Sequence, residues 1–138
     1  MDIWSMNKLP ARVSQIEGEQ NLHIVSFEGD GYSLKMMGLD LPQGLEVNAH
    51  VLLGVKSSHV AIAKNLTGKL SYSNQINAVV ETIEEGKLLC NVLLRVNDFV
   101  VQSIITTSSA RRLSLGVGDE VVLLMKASEL FVLEVVHA

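Results

Sequence analysis

One cysteine, two prolines, three phenylalanines, two tyrosines and one tryptophan are spread over 138 residues, and each scarcity closes off a class of protein. Cys90 stands alone, which excludes an intramolecular disulfide and any cysteine-rich zinc site. The few aromatics, with a net charge of -4 divided as -2 in each half, leave neither the stacking platform nor the basic surface that nucleic-acid binding requires. No apolar run approaches the roughly 18 residues of a membrane-spanning helix. No basic segment leads from Met1 into a hydrophobic stretch. The expectation is a soluble cytoplasmic protein without nucleic-acid or membrane partners. Charged residues are only 19% against 48% hydrophobic, too aliphatic a mixture for disorder. The length suits one compact domain, or two modules of about 70 residues that share a core because neither buries enough surface alone.

What the chain does have is an internal repeat. At an offset of 67, Asn7 lies over Asn74, Leu9 over Ile76, Ala11 over Ala78, Val13 over Val80 and Ile16 over Ile83. Leu22 over Leu89, Val25 over Val92 and Tyr32 over Phe99 continue the series. Beyond a change of length in the middle, the offset becomes 70: Lys56-Ser57-Ser58 falls over Lys126-Ala127-Ser128, and Val60 over Leu130. The expected division is residues 1–68 and 69–138, joined by a connection over 63–68 too short for independent motion.

Each copy reads as short β-strands. Asn77 to Ile83 is a β-forming run stopped by Glu84-Glu85-Gly86; Lys87 to Val96 and Phe99 to Ile105 flank an Asn97-Asp98 hairpin turn. Thr106 to Leu113 is the one helical segment, with hydroxyls at its start and Gly116 soon after its end. Val121 to Met125 and Leu130 to Val136 complete five strands. In the first copy Glu17-Gly18-Glu19 and Glu28-Gly29-Asp30-Gly31 are the expected turns, and Val47 to Val55 and Val60 to Ala63 the later strands. The fold class is therefore all-β: two tandem five-stranded barrels with the topology of oligonucleotide-binding folds, the second carrying a short helix.

Catalytic signatures are missing. There is no His-Glu-x-x-His pattern, no phosphate loop and no Gly-x-Ser-x-Gly elbow. His23, His50, His59 and His137 are scattered, Cys90 falls inside a strand, and Gly116-Val117-Gly118 follows a helix rather than joining a strand to one. The chain reads as a non-enzyme. Polar groups recur instead at matched positions: Lys56-Ser57-Ser58 and Lys126-Ala127-Ser128 at the joint before each last strand, Ser5 before Asn7, Ser71 and Ser73 before Asn74. Thr106, Thr107, Ser108 and Ser109 open the helix. Hydroxyls, backbone N–H groups and a single Lys are a donor set for a small oxyanion; the same residues also serve as ordinary caps and solvated strand ends.

Together these segments resemble the Mop or TOBE domain, a module that binds molybdate or tungstate. The resemblance rests on Ser71-Tyr72-Ser73-Asn74, Gly86, Ile105-Thr106-Thr107-Ser108-Ser109, Leu113-Ser114-Leu115-Gly116 and Lys126-Ala127-Ser128, about 68 residues in all. The first half is similar more weakly, through Asn7, Gly18, Gly44 and Lys56-Ser57-Ser58. The whole chain resembles tandem two-module molybdate-binding proteins of the di-Mop type. The resemblance implies intracellular oxyanion binding for storage, buffering or homeostasis without catalysis, no organic cofactor, and a homotrimer with ligands held between modules. By position it assigns ligand contacts to Ser71, Ser73, Asn74, Thr106, Ser109, Lys126, Ala127 and Ser128, and in the first copy to Ser5, Asn7, Lys56 and Ser57. Two departures stand out. The family's opening Arg is Ser73 here and Met6 in the first copy, where Trp4 also occupies the place of Ser71, and the first copy has no equivalent of the hydroxyl-rich Ile-Thr-x-x-Ser segment around Met37-Gly38-Leu39. A ligand-poor module that regulates or scaffolds molybdate transport or transcription is the alternative reading.

Overall fold

The computed structural model describes residues 5–136; Trp4 and His137 lie outside the described residues. Ten strands, one α-helix and two 3-10 turns follow one another in the order β1 (Met6–Glu19), β2 (Leu22–Gly29), β3 (Tyr32–Gly38), β4 (His50–Lys56), a 3-10 turn (Ser57–His59) and β5 (Ala61–Ala63). The second series is β6 (Asn74–Glu85), β7 (Leu89–Val96), β8 (Phe99–Thr106), α1 (Thr107–Arg112), β9 (Glu120–Met125), a 3-10 turn (Ala127–Glu129) and β10 (Phe131–Val136). Alternation drives the strands: Leu9, Ala11 and Val13 are buried between exposed Lys8 and Pro10, as Ile76, Ala78 and Val80 are between Gln75, Asn77 and Val79.

The strands form two five-stranded antiparallel sheets, ordered β10-β4-β1-β2-β3 and β5-β9-β6-β7-β8. Under the repeat these orders superimpose strand for strand. Even the β-bulges correspond, between Val13 and Gln15 in β1 and between Val80 and Thr82 in β6. The fifth strands, however, are exchanged. β5, from the first half, pairs with β9, and β10, from the second, pairs with β4. Sequence position assigns each last strand to its own copy; the fold hands it to the other. Gly54 permits the β4–β10 pairing, because a Cβ there would stand 2.8 Å from the Phe131 ring and 2.9 Å from Leu133. One hydrophobic core runs through both sheets, with Phe27, Leu34 and Leu53 on one side and Ile76, Leu94 and Leu123 on the other.

Several positions equated by the repeat meet their own counterparts, as residues on a twofold axis must. Tyr32 and Phe99 pack edge to face at 5.2 Å and 71°. Asn97 Nδ2 donates to Asp30 Oδ1 at 3.3 Å, and His59 Nδ1 lies 3.2 Å from Glu129 Oε2. The chain is thus a covalent pseudo-dimer. Several expected boundaries shift. β6 begins at Asn74 and runs on through Glu84 and Glu85, which pair with Asn91 and Cys90, instead of stopping at Ile83. β1 stays paired through Gly18–His23 and Glu19–Leu22, so the turn falls at Gln20-Asn21, Gln20 taking φ 56°, instead of at Gly18. Val47 to Ala49 remain outside β4, because Asn48 adopts φ 74°.

Tyr32 closes this axis by donating its buried hydroxyl to the Pro10 carbonyl. Burial, and secondarily the Asp30 carboxylate, push its pKa from 10.0 to about 12. A raised folded value means that the stability from the neutral phenol is fully present below the unfolded value near 10. It is lost as pH rises through about 12. Alkaline denaturation is expected to show this loss, and Tyr32→Phe to abolish the Tyr32-linked part of the slope. An unchanged slope in Tyr32→Phe counts against it.

Candidate functional site

At the two joints that precede the exchanged strands both halves contribute polar groups. Each is anchored by one of the repeated asparagines. Asn7 Nδ2 donates to the Gln102 carbonyl and its Oδ1 accepts from Gln102 N–H, both at 2.8 Å. Asn74 makes the matching clasp on Lys35, Oδ1 accepting from the backbone N–H at 2.7 Å and Nδ2 donating to the carbonyl at 3.0 Å. Both asparagines are buried. Their amides are committed to holding β8 and β3 against the opposite half.

At the first joint Ser57 is fully buried and Ser5 half-buried, their Oγ atoms 2.7 Å apart. Both hydroxyls donate to Gln102 Oε1, at 2.8 Å from Ser5 and 3.2 Å from Ser57. Gln102 is oriented by its Nε2, which donates to Asn91 Oδ1 at 2.8 Å. Lys56 is exposed at the start of this 3-10 turn. At the second joint exposed Lys126 precedes half-buried Ala127 and exposed Ser128, and their 3-10 turn packs on β3. Ser71 is exposed in the connecting segment. Ser73 is also exposed and lines a cavity of about 280 Å³ with Lys35, Ser14, Ser26, Ser33 and Glu28.

The helix start is largely satisfied from within. Thr106 Oγ1 accepts from Ser109 N–H at 3.1 Å and donates to Ser109 Oγ at 2.8 Å, and Arg112 Nη2 donates to that same Oγ at 3.2 Å. Thr107 Oγ1 fixes the helix to the β6–β7 turn through the Gly86 carbonyl at 2.8 Å. Thr106, Ser109 and Arg112 form the polar rim of a cavity of about 430 Å³ whose floor includes Ile62, Leu89 and Ile104. Ser58 of the first joint reaches the same cavity. Lys126-Ala127-Ser128 does not line it; that turn packs on β3, whereas Thr106 ends β8 and Ser109 lies in α1.

The remaining ionisable groups with displaced titration are structural. Asp119 lies below the usual carboxylate range because Lys64 Nζ hydrogen-bonds it at 2.9 Å and Gly116 N–H donates to it at 2.8 Å. Lys64 also donates to the Ser114 carbonyl, tying the connecting segment to the loop after α1. The Cys90 thiol is pushed up by burial and by Glu85, the opposite of an activated nucleophile. Among the described residues no three His, Cys, Asp or Glu side chains converge as metal ligands, and no helix is long and apolar enough to cross a membrane. Sequence reasoning missed Gln102, Lys35, Asn91 and Arg112. The first two are themselves equated by the repeat, and that was the signal available.

Residues 70–132 match the family model of the TOBE domain. Among solved structures the chain is similar to the cytoplasmic molybdate-binding protein ModG in a crystal form with molybdate bound. The TM-score is 0.87 at 24% identity, over 96% of this chain and 98% of that one. A search among curated proteins returns no match. The likeness extends over both sheets and makes the pseudo-dimer a shared architecture.

Proposed function

We propose that the protein binds molybdate or tungstate in the cytoplasm and releases it by mass action, without catalysis, as a store or buffer. The observation that carries this reading is the whole-length likeness to a molybdate-binding protein, together with the TOBE match over residues 70–132. The donors present suit a tetrahedral dianion: hydroxyls of Ser71, Ser73, Ser128, Thr106 and Ser109, backbone N–H groups near Ala127, and the Lys126 charge. Charge-assisted hydrogen bonds would fix the ligand without a covalent step. Residues 1–68 and 69–138 act as two modules, each completed by the other's last strand. Lys126-Ala127-Ser128 and the pair Thr106 and Ser109 do not line one cavity within the chain, an arrangement compatible with ligands held at the interfaces of the homotrimer that the resemblance implies.

Calorimetric titration tests the reading. Molybdate and tungstate are expected to bind with measurable heat and to raise the melting temperature, and sulfate to bind more weakly. Lys126→Ala is expected to weaken binding about tenfold or more, the cost of losing one charged donor, while leaving the oligomer intact. Absence of heat and of any melting shift with either metal oxyanion at millimolar concentration overturns the proposal.

A further inference from the structure

The two joints are matched in backbone and opposed in chemistry. At the first, Gln102 Oε1 takes hydrogen bonds from Ser5 and Ser57, so an amide oxygen of the chain already occupies the acceptor position between those hydroxyls. The repeat places Lys35 where Gln102 stands, Ile24 where Asn91 stands and Ala127 where Ser57 stands. Lys35 is held at the second joint by the backbone clasp of Asn74, the neighbour of Ser73. Its strand packs on the Ala127–Glu129 turn. The side chain is exposed, and it lines a cavity of about 280 Å³ with four serines, Ser14, Ser26, Ser33 and Ser73. Glu28 lines that cavity too, with its Oε2 accepting from Ser33 Oγ at 2.7 Å. One ammonium and one carboxylate thus face the space; Lys126 heads the packed turn, and Glu129 at its end faces His59 Nδ1 at 3.2 Å.

We propose that Lys35 is an oxyanion-binding residue of the second joint, and that Gln102 makes the first joint a self-filled, structural one. The inference rests on the oxyanion-binding reading above and identifies which joint carries it out. Position 73 is a serine with no charge to offer, and an ammonium delivered from β3 of the other half supplies the charge. Lys serves here as a point charge, without the fixed fork of a guanidinium.

Titration of molybdate and tungstate into wild type, Lys35→Gln, Lys35→Arg and Lys87→Gln tests it. Lys35→Gln gives the second joint the chemistry of the first and is expected to weaken binding about tenfold or more. Lys35→Arg is expected to retain most of the affinity. Lys87→Gln makes the same charge change in the β6–β7 turn and is expected to leave affinity unaltered. Thermal melts confirm that each variant is folded. Wild-type affinity in Lys35→Gln overturns the assignment and leaves the oxyanion reading standing, as does an equal loss in Lys87→Gln. A wild type that binds neither anion overturns both.

Discussion

Cleavage confined to residues 64–73 is expected to leave the protein as a single particle on gel filtration, resolving into two fragments only in denaturant. The reason is the strand exchange. The fragment carrying β1 to β4 retains its sheet only with β10 of the other fragment on its edge, and β9 needs β5 in the same way. The core is also common, since Phe27 and Leu53 belong to one cluster with Leu94 and Leu123. Each half alone would expose these side chains, at roughly 1.5–3 kcal/mol for each large aliphatic or aromatic residue, with only about 68 residues to offset the loss of chain entropy. Residues 1–68 produced alone are accordingly expected to be unfolded or aggregated, and to regain β structure on mixing with 69–138. A first half that gives a cooperative melt by itself contradicts the exchange.

The second large effect belongs to a single side chain. Asn74→Ala removes both partners of the Lys35 backbone and leaves an N–H and a C=O unpaired against the opposite half. At about 1–3 kcal/mol for each unsatisfied group, the loss comes to about 3 kcal/mol, or roughly 10 °C in melting temperature for a chain of this size. Asn7→Ala acts on the Gln102 backbone in the same way. Asn74→Asp keeps the acceptor but loses the donor and adds a buried charge, so it is expected to fare no better. A shift of 1–2 °C in Asn74→Ala would show that water replaces the clasp.

How much of this was legible in the sequence can be judged residue by residue. The repeat disclosed two matched sets of strands because alternation survives in both copies, with Asn7 over Asn74 as a polar anchor of the alignment. Their role was not legible. An asparagine that clasps a strand of the other half has the same neighbours in sequence as one that holds a ligand. The helix expected over Thr106 to Leu113 followed from its hydroxyl start; it spans Thr107–Arg112, with Thr106, a residue the resemblance assigns to the ligand, as its N-cap. The exchange of β5 and β10 was invisible, because a strand presents the same inward-facing pattern to either sheet. Gly18 misled in a simpler way: the hairpin closes at Gln20-Asn21, and the paired strand runs past the glycine. Lys35 looked like any lysine on the solvent face of a strand until folding placed it beside Ser73.

Crystals grown with tungstate and measured at the tungsten absorption edge would locate the bound anion on the protein. An anomalous peak is expected at the second joint, with Lys35 and Lys126 as its cations, and none between Ser5, Ser57 and Gln102. A peak at the first joint with Gln102 displaced, or no tungsten peak anywhere on the protein, would contradict it.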